Sequence, residues 1–238
     1  MLGLGLALAG SMLSSVSHVI LHSTPLTALG ISTIILGAAS LALSRSQTKI
    51  PPEASEILLE SGLNNISVLI EELGITSKSI YLPSSLTDGK PQALIPLHMN
   101  PHPPKPQSPL PKRFIVKYGP NPEDMGLLIT TPGSTIASKS ISRTNPAPAD
   151  LEAALSSVLT GTLDLADAVK VSTVGEKIIV EVSNPRLKHK SVQIYECLGS
   201  PLASIVASMI AEALDKPVII NRETHEKHKN IIELKTPQ

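Results

Sequence analysis

The 238-residue chain carries 20 Lys and Arg and 20 Asp and Glu, so its net charge is zero, and aromatic residues make up only 2 % of it. Neutrality and the scarcity of rings that could stack on bases argue against nucleic-acid binding. The single cysteine, Cys197, excludes an intramolecular disulfide and a cysteine-only zinc site. We predict no cofactor.

The charges are unevenly distributed, because residues 1–44 contain no Lys, Arg, Asp or Glu. Two apolar runs, 2–21 and 26–43, flank the polar turn His22–Pro25. As helices they are about 30 and 27 Å long, close to the thickness of a bilayer core. We therefore predict a transmembrane hairpin over residues 1–44, with the lipid bilayer of the cell membrane as its partner. A cleaved signal peptide, two core helices of a soluble protein and a hairpin in one leaflet are the alternatives.

The basic residues after the second run predict the orientation. Arg45 and Lys49 follow it directly, whereas the short turn carries only His22. The positive-inside rule then places both chain ends in the cytoplasm. We assign residues 45–52 to a juxtamembrane linker and 53–238 to a cytoplasmic domain. Because the residues after 44 are together neutral, we expect anchoring by the hairpin and not by a basic surface.

Small residues recur along one side of each predicted span, at Gly3, Ala7, Gly10 and Ser14 in the first and at Gly30 and Gly37 in the second. Such faces let helix backbones approach closely in lipid. We favour packing within the hairpin over a homo-oligomer formed through it. The bland alternative is that Gly and Ala are simply common in membrane helices.

The cytoplasmic part begins with a helix and four short strands. Apolar spacing predicts the helix over 53–73, with Gly74 as its C-terminal cap. The strands are predicted at 79–82, 92–97, 113–118 and 127–131, with a turn at 87–90 between the first two. Residues 96–111 hold seven prolines, which exclude a helix and a central strand. This proline-rich segment is either a docking strip for a partner protein or, more commonly, a stiff surface connection.

The second half of the domain alternates hairpins and helices. We predict a loop or short helix over 132–148, a helix over 151–159, and a hairpin of strands 169–173 and 177–183. A strand over 192–198 precedes a helix that starts at Ser200 and Pro201 and runs to about Leu214, with Ser204, Ser208 and Glu212 along its narrow polar side. Strands 217–221 and 230–235 then pair. This order predicts a mixed, mostly antiparallel α+β domain.

Three features are weak candidates for chemistry. Cys197 precedes a predicted helix start, where the helix dipole favours a reactive thiolate, although a free cysteine is more often buried and inert. Gly199 and Ser200 offer backbone N–H groups to an anion, although ordinary helix capping explains them more simply. His225 and His228 are a possible metal pair, although two loose ligands in a charged turn rarely close a site.

Two resemblances add to these predictions. The plan of two N-terminal spans followed by a cytosolic α+β domain resembles archaeal membrane-anchored proteins of unknown function. The run Val180–Pro185, the helix Gly199–Leu214 and the strands Pro217–Asn221 and Ile231–Leu234 are similar in layout to the vinyl-reductase-type small-molecule-binding module. The second resemblance implies a ligand-binding fold, and no site residue is carried over from it.

The sequence favours a membrane-anchored, non-catalytic binding or scaffold domain that faces the cytoplasm. One alternative is a membrane-bound enzyme with its site near Cys197 and the helix start Gly199–Pro201. Another is a structural subunit of a membrane complex that uses the small-residue faces of both spans. These residues identify neither a ligand nor a protein partner.

Overall fold

The computed structural model describes residues 2–20, 22–46, 52–99, 104, 106, 108–140, 146–187 and 193–237. The chain divides into two compact units, Met1–Glu60 and Ser61–Gln238. The predicted hairpin lies in the first unit and the predicted sheet in the second.

Two helices, α1 (Leu2–Val19) and α2 (Thr24–Ser46), pack together as a hairpin in the first unit. Two stretches of the described residues are long and apolar enough to cross a membrane by length and composition, Thr24–Ala42 and Gln193–Leu214. The first is 11 % buried, and the second is 83 % buried inside the second unit. A core helix of a soluble domain passes the same test, so only the first stretch has the exposure expected of a span. α1 contributes a shorter apolar stretch, Leu4–Val19.

Eight strands of the second unit form one sheet in the order β3-β4-β2-β1-β7-β8-β6-β5. All pairings between the described strands are antiparallel, which confirms the predicted α+β class and the antiparallel sheet. The strands are β1 (Ile80–Leu82), β2 (Gln92–Pro96), β3 (Ile115–Lys117), β4 (Met125–Ile129), β5 (Ala168–Val174), β6 (Lys177–Ser183), β7 (Val218–His225) and β8 (Lys229–Lys235).

The remaining helices are α3 (Pro52–Glu72), α4 (Pro132–Ser140), α5 (Pro148–Ser156), α6 (Gln193–Leu198) and α7 (Pro201–Leu214). α3 crosses the division between the two units and stops before Gly74, whose φ of +62° suits a glycine at a helix end. A π-helical segment, Ser157–Thr162, continues α5.

The two halves of the sheet differ in what covers them. β6 alternates buried and more exposed residues, because Ile178, Val180 and Val182 face the main core and the other side is open. β1, β2 and β4 are buried on both faces, with Tyr81 in the main core and Ile80 in a second, smaller cluster. Strands covered on both faces lose the alternation that marks a half-exposed strand.

The proline-rich segment supplies part of this second cover. Leu110 is 6 % exposed and packs in the smaller cluster with Val116, Tyr118 and Leu128. Its backbone N–H donates to the Leu86 carbonyl oxygen at 3.0 Å. Among the described residues of the segment, both Pro106 and Leu110 are buried, so this part lies against the sheet and is not a free strip.

Helix α7 is buried on nearly every side, including its polar side. Ser204, Ser208 and Glu212 are each less than 5 % exposed. Helix α4 approaches this side so closely that a Cβ on Gly133 would lie 2.6 Å from Ser208 Oγ. At the other end of the row, Glu212 accepts hydrogen bonds from Ser84 N–H at 2.7 Å and Ser84 Oγ at 2.5 Å. The polar row is therefore a buried helix interface.

The strand predicted over 192–198 is wrong, because residues 193–198 form helix α6. Ile194, Cys197 and Leu198 are buried at helical spacing, and Glu196 is exposed. The helix ends at Gly199, whose φ is +72° and whose N–H donates to the Tyr195 carbonyl oxygen at 2.8 Å. A six-residue segment of mixed polarity fits either period, and the glycine that follows it is a helix cap.

The free edge of β5 is covered in part by α5. The carboxylate of Glu152 accepts a hydrogen bond from Val171 N–H at 2.8 Å. In the β5–β6 ladder the Val171 amide points away from β6. The carboxylate therefore satisfies an edge N–H that could otherwise pair with a strand of another protein molecule.

Candidate functional site

The N-terminus of α7 holds a part-buried cluster of polar groups in the second unit. Ser200 is the N-cap residue, and its Oγ accepts a hydrogen bond from Ala203 N–H at 3.1 Å. The Glu223 carboxylate lies against the same cap and accepts from Ser200 N–H at 2.9 Å and Ser200 Oγ at 2.5 Å. Asn230 Nδ2 donates to Glu223 Oε1 at 2.9 Å. Three donors thus converge on one carboxylate at the positive end of a helix.

A β-bulge gives Glu223 this position. The register of β7 against β8 shifts between Ile220 and Arg222, so Glu223 lies opposite Ile232. Ile232 belongs to the core under α7, and Glu223 therefore shares that side of the sheet. Strict alternation from Val218 and Ile220 would have turned Arg222 toward the helix instead.

This geometry bears directly on the predicted anion site. The backbone N–H of Ser200 already donates to the chain's own Glu223, and Ala203 N–H donates to Ser200 Oγ. A Cβ on Gly199 would lie 2.7 Å from Ile220 Cδ1, the mobile end of that side chain, so the positive φ is what favours glycine here. The helix start thus has an internal carboxylate as its anion, which fits the capping interpretation of Gly199 and Ser200.

Cys197 lies at the end of α6 and is 3 % exposed. Its Sγ contacts the Ile75 carbonyl oxygen at 3.6 Å. Burial, with a smaller contribution from the nearby Glu196 carboxylate, raises the pKa of the Cys197 thiol above its ordinary value. A protonated, enclosed thiol is a poor nucleophile, so this geometry weighs against an enzyme built on Cys197.

The two candidate metal-binding histidines contact different partners. β7 extends to His225, whose Nε2 lies 3.5 Å from Glu223 Oε1. His228 follows in the turn, and its Nδ1 lies 3.2 Å from Asn184 Oδ1. Among the residues that the structure describes, no three His, Cys, Asp or Glu side chains are grouped to hold a metal ion.

A cavity of about 460 Å³ lies beside the turn between β3 and β4. Tyr118 and Asp124, both less than 7 % exposed, form part of its wall with His98. Burial raises the pKa of Tyr118 above its ordinary value, and the Asp124 carboxylate adds to that increase. Asp124 accepts a hydrogen bond from Asn121 N–H at 2.8 Å, so it also stabilises the turn. The cavity suits a small polar ligand, and its Tyr118 is a neutral hydrogen-bonding group.

The hairpin brings three of its predicted small residues together. A Cβ on Gly10 would lie 2.8 Å from the Gly30 carbonyl oxygen, and one on Gly30 would lie 2.6 Å from Ser14 N. Gly37 is also buried and Ala7 is half-buried. Gly3 lies outside the residues whose surroundings the structure describes. The backbones of α1 and α2 are thus in contact at Gly10, Ser14 and Gly30.

The outer surface of the hairpin is apolar, and several of its hydroxyl groups are satisfied internally. Large exposed side chains on both helices include Leu8, Met12, Val16, Leu29, Ile35 and Leu36. Five hydroxyls donate to carbonyl oxygens three or four residues earlier, those of Ser11, Ser15, Thr27, Ser32 and Thr33. Such local hydrogen bonds remove the cost of placing a hydroxyl in an apolar surrounding.

Sequence reasoning does not identify the buried carboxylate of Glu212 and the part-buried carboxylate of Glu223 as partners of Ser84 and Ser200. Each carboxylate accepts from both the backbone N–H and the hydroxyl of its serine. The local signal is a serine at the start of a helical turn at both places, and a sequence separation of 128 residues hides the Ser84 partner.

Residues 1–235 match the family described as Domain of unknown function (DUF7982), and the chain belongs to that family. No curated protein and no solved structure matches the chain. The resemblances to archaeal membrane-anchored proteins and to the vinyl-reductase-type module stay predictions. The orientation also stays a prediction, since Lys49 and the side chain of Arg45 lie outside the described residues.

Proposed function

We propose that this member of the DUF7982 family is a membrane-anchored, non-catalytic binding protein. Its hairpin of α1 and α2 spans the bilayer, and its α+β unit binds a protein or small ligand on the cytoplasmic side. The observation that carries the proposal is the exposed apolar surface of both hairpin helices. In water such a surface is a liability, and in lipid it is the surface a span requires.

The close contact of α1 and α2 also supports a lipid environment for the hairpin. Apolar side chains gain little by associating in lipid, so helices there pack through small residues. Gly10, Ser14 and Gly30 provide that contact, and the internally bonded hydroxyls need no water. A hairpin dissolved in the cytoplasm would instead need polar side chains outward.

The non-catalytic part of the proposal is supported by the state of the polar groups in the second unit. The buried thiol of Cys197 is kept protonated, and the Glu223 carboxylate already accepts hydrogen bonds from three donors of the chain. The cavity of about 460 Å³ with Tyr118 is the candidate site for a small ligand. Anchoring raises the effective concentration of the unit at the membrane, so a weak interaction suffices there.

Alkaline carbonate extraction tests the anchor. We expect the full chain to stay with the membrane pellet after extraction at high pH, and a chain lacking residues 1–44 to become soluble. Release of the full chain would refute a spanning hairpin. If the shortened chain stayed in the pellet, the anchor would lie elsewhere.

Orientation has its own test, which uses an added cysteine. Because Cys197 is buried, Leu187→Cys places the one accessible thiol on an exposed position. An impermeant maleimide should label it only after the cells are permeabilised. Labelling in intact cells would place the second unit outside and overturn the cytoplasmic assignment.

A Gly30→Val variant tests the hairpin contact, with Gly5→Val as its control, because a Cβ on Gly5 meets nothing within 4 Å. We expect only the Gly30 variant to lose protection of α1 and α2 against protease in detergent. If both variants were protected equally against protease, the contact at Gly30 would no longer support the proposed packing of α1 on α2.

A further inference from the structure

The neutral net charge of the chain conceals one strongly basic stretch. Residues 89–122 contain five Lys and Arg and no Asp or Glu. Three of these cations, Lys112, Arg113 and Lys117, lie within or just before β3. The nearest acidic residues flank the stretch in the sequence, at Asp88, Glu123 and Asp124.

Two apolar side chains are exposed among these cations. Phe114, the only phenylalanine of the chain, is 47 % exposed, and Ile115 is 52 % exposed. β3 is an edge strand of the sheet, and only Val116 on it is buried. We call Lys112, Arg113, Phe114, Ile115 and Lys117 the basic edge.

Few of the charges on the basic edge are neutralised within the protein. Lys112 pairs with Asp88 at 3.5 Å, but both side chains are well exposed and solvent screens such a pair. Lys117 Nζ donates to the Pro120 carbonyl oxygen at 2.9 Å and keeps its charge. Among the described residues, Arg113 has no side-chain hydrogen bond or ion pair.

We propose that the basic edge docks on an anionic bilayer surface, with Phe114 and Ile115 entering the headgroup region and the three cations facing lipid phosphates. The inference rests on the proposed function, since the hairpin is what keeps the second unit beside a bilayer. Basic residues around an exposed aromatic ring are the composition of surfaces that lie at such an interface. The charge of the edge is complementary to the negative lipids of the cytoplasmic leaflet.

The natural chain contains no tryptophan, so an added one reports on its own position. The full-length Phe114→Trp variant is reconstituted into phosphatidylcholine vesicles, with or without phosphatidylglycerol, that carry bromine at the headgroup end of the acyl chains. We expect its emission to be quenched in the anionic vesicles and the quenching to be at least halved by high salt, which shortens the range of the attraction. Ile115→Trp provides a second reporter if the first variant folds poorly.

Val174→Trp is the matched control. Val174 is 62 % exposed and lies on β5, the opposite edge strand of the same sheet. We expect its quenching to stay low in both kinds of vesicle. In the Phe114→Trp background, K112Q/R113Q/K117Q should remove at least half of the quenching, and K170Q/K216Q/K227Q, which removes three exposed cations elsewhere, should leave it unchanged.

The outcomes separate this inference from the proposed function. If the chain fails to float with vesicles in high salt, the spanning hairpin is refuted. If it floats and the Phe114→Trp variant is quenched no more than the Val174→Trp variant, or equally with neutral lipid, the basic edge does not dock on anionic lipid. A blue shift of the Phe114→Trp emission without bromine quenching would mean that the edge contacts protein, which also overturns the proposal.

Discussion

Replacing Glu223 by glutamine should loosen the N-terminus of α7. The carboxylate accepts from Ser200 N–H, Ser200 Oγ and Asn230 Nδ2 at 2.5–2.9 Å, and its side chain is 11 % exposed. Glutamine keeps the volume but removes the charge, and it turns an NH₂ group toward donors.

The size of the effect follows from these contacts. A hydrogen bond to a charged group contributes about 1.5–3 kcal/mol, against about 1 kcal/mol for a neutral one. The negative charge at a helix N-terminus adds about 0.3–1 kcal/mol. Because the amide oxygen of glutamine retains part of the bonding, we expect a loss of about 2 kcal/mol, which corresponds to about a thirtyfold change in an equilibrium constant.

Hydrogen exchange of the full chain in detergent micelles measures this loss. Peptides from α7 should exchange about thirtyfold faster in the Glu223→Gln variant. Glu226→Gln is the control, because it removes the same charge from an exposed residue of the β7–β8 turn, where surface changes cost less than about 0.5 kcal/mol. Equal exchange in the two variants would refute the role assigned to the carboxylate.

Three further predictions concern single groups. Glu152→Ala should expose Val171 N–H on the β5 edge, so light scattering should show more self-association than for an alanine at the exposed Glu176. Cys197 should react with a thiol reagent in denaturant but not in the folded protein, because burial raises its pKa and blocks access. Rapid labelling of the folded protein would instead support Cys197 as a nucleophile. Lys177 Nζ lies 2.6 Å from Glu233 Oε1 and holds the pKa of Glu233 below its ordinary value. The pair therefore stabilises the fold at a pH above the unfolded-state pKa of Glu233, and this stabilisation is lost as the pH falls through the folded-state pKa. Lys177→Met should make the unfolding midpoint fall less steeply with decreasing pH.

Local sequence patterns predict those elements whose conformation depends on residues adjacent in the chain. Alternation over Ile178, Val180 and Val182 and the glycine turn that precedes them specify the β5–β6 hairpin, and Ser200 with Pro201 specifies the start of α7. The same approach fails at residues 193–198, where six residues carry too little periodicity to separate a strand from a helix.

The candidate site could not be predicted in this way, because it depends on a register shift. The bulge between Ile220 and Arg222 turns the residues that follow it to the opposite face of the sheet from the one that strict alternation would give. Without it, Glu223 would lie on the open face and Ser200 would cap α7 alone. Asn230 falls in the predicted last strand, but its contact with Glu223 follows only from that shift.

Two apolar stretches of the described residues pass the same test for a membrane span, and only the second contains acidic residues, the exposed Glu196 and the buried Glu212. Thr24–Ala42 contains no charged side chain, and its Ser32 and Thr33 hydroxyls bond to their own helix. The other stretch contains Glu212, a carboxylate that lipid would leave without a donor, at a cost on the order of several kcal/mol. In the α+β unit, Ser84 supplies two donors to it. Glu212 therefore disfavours α7 in a bilayer, and its hydrogen bonds with Ser84 link α7 to the residues that follow β1.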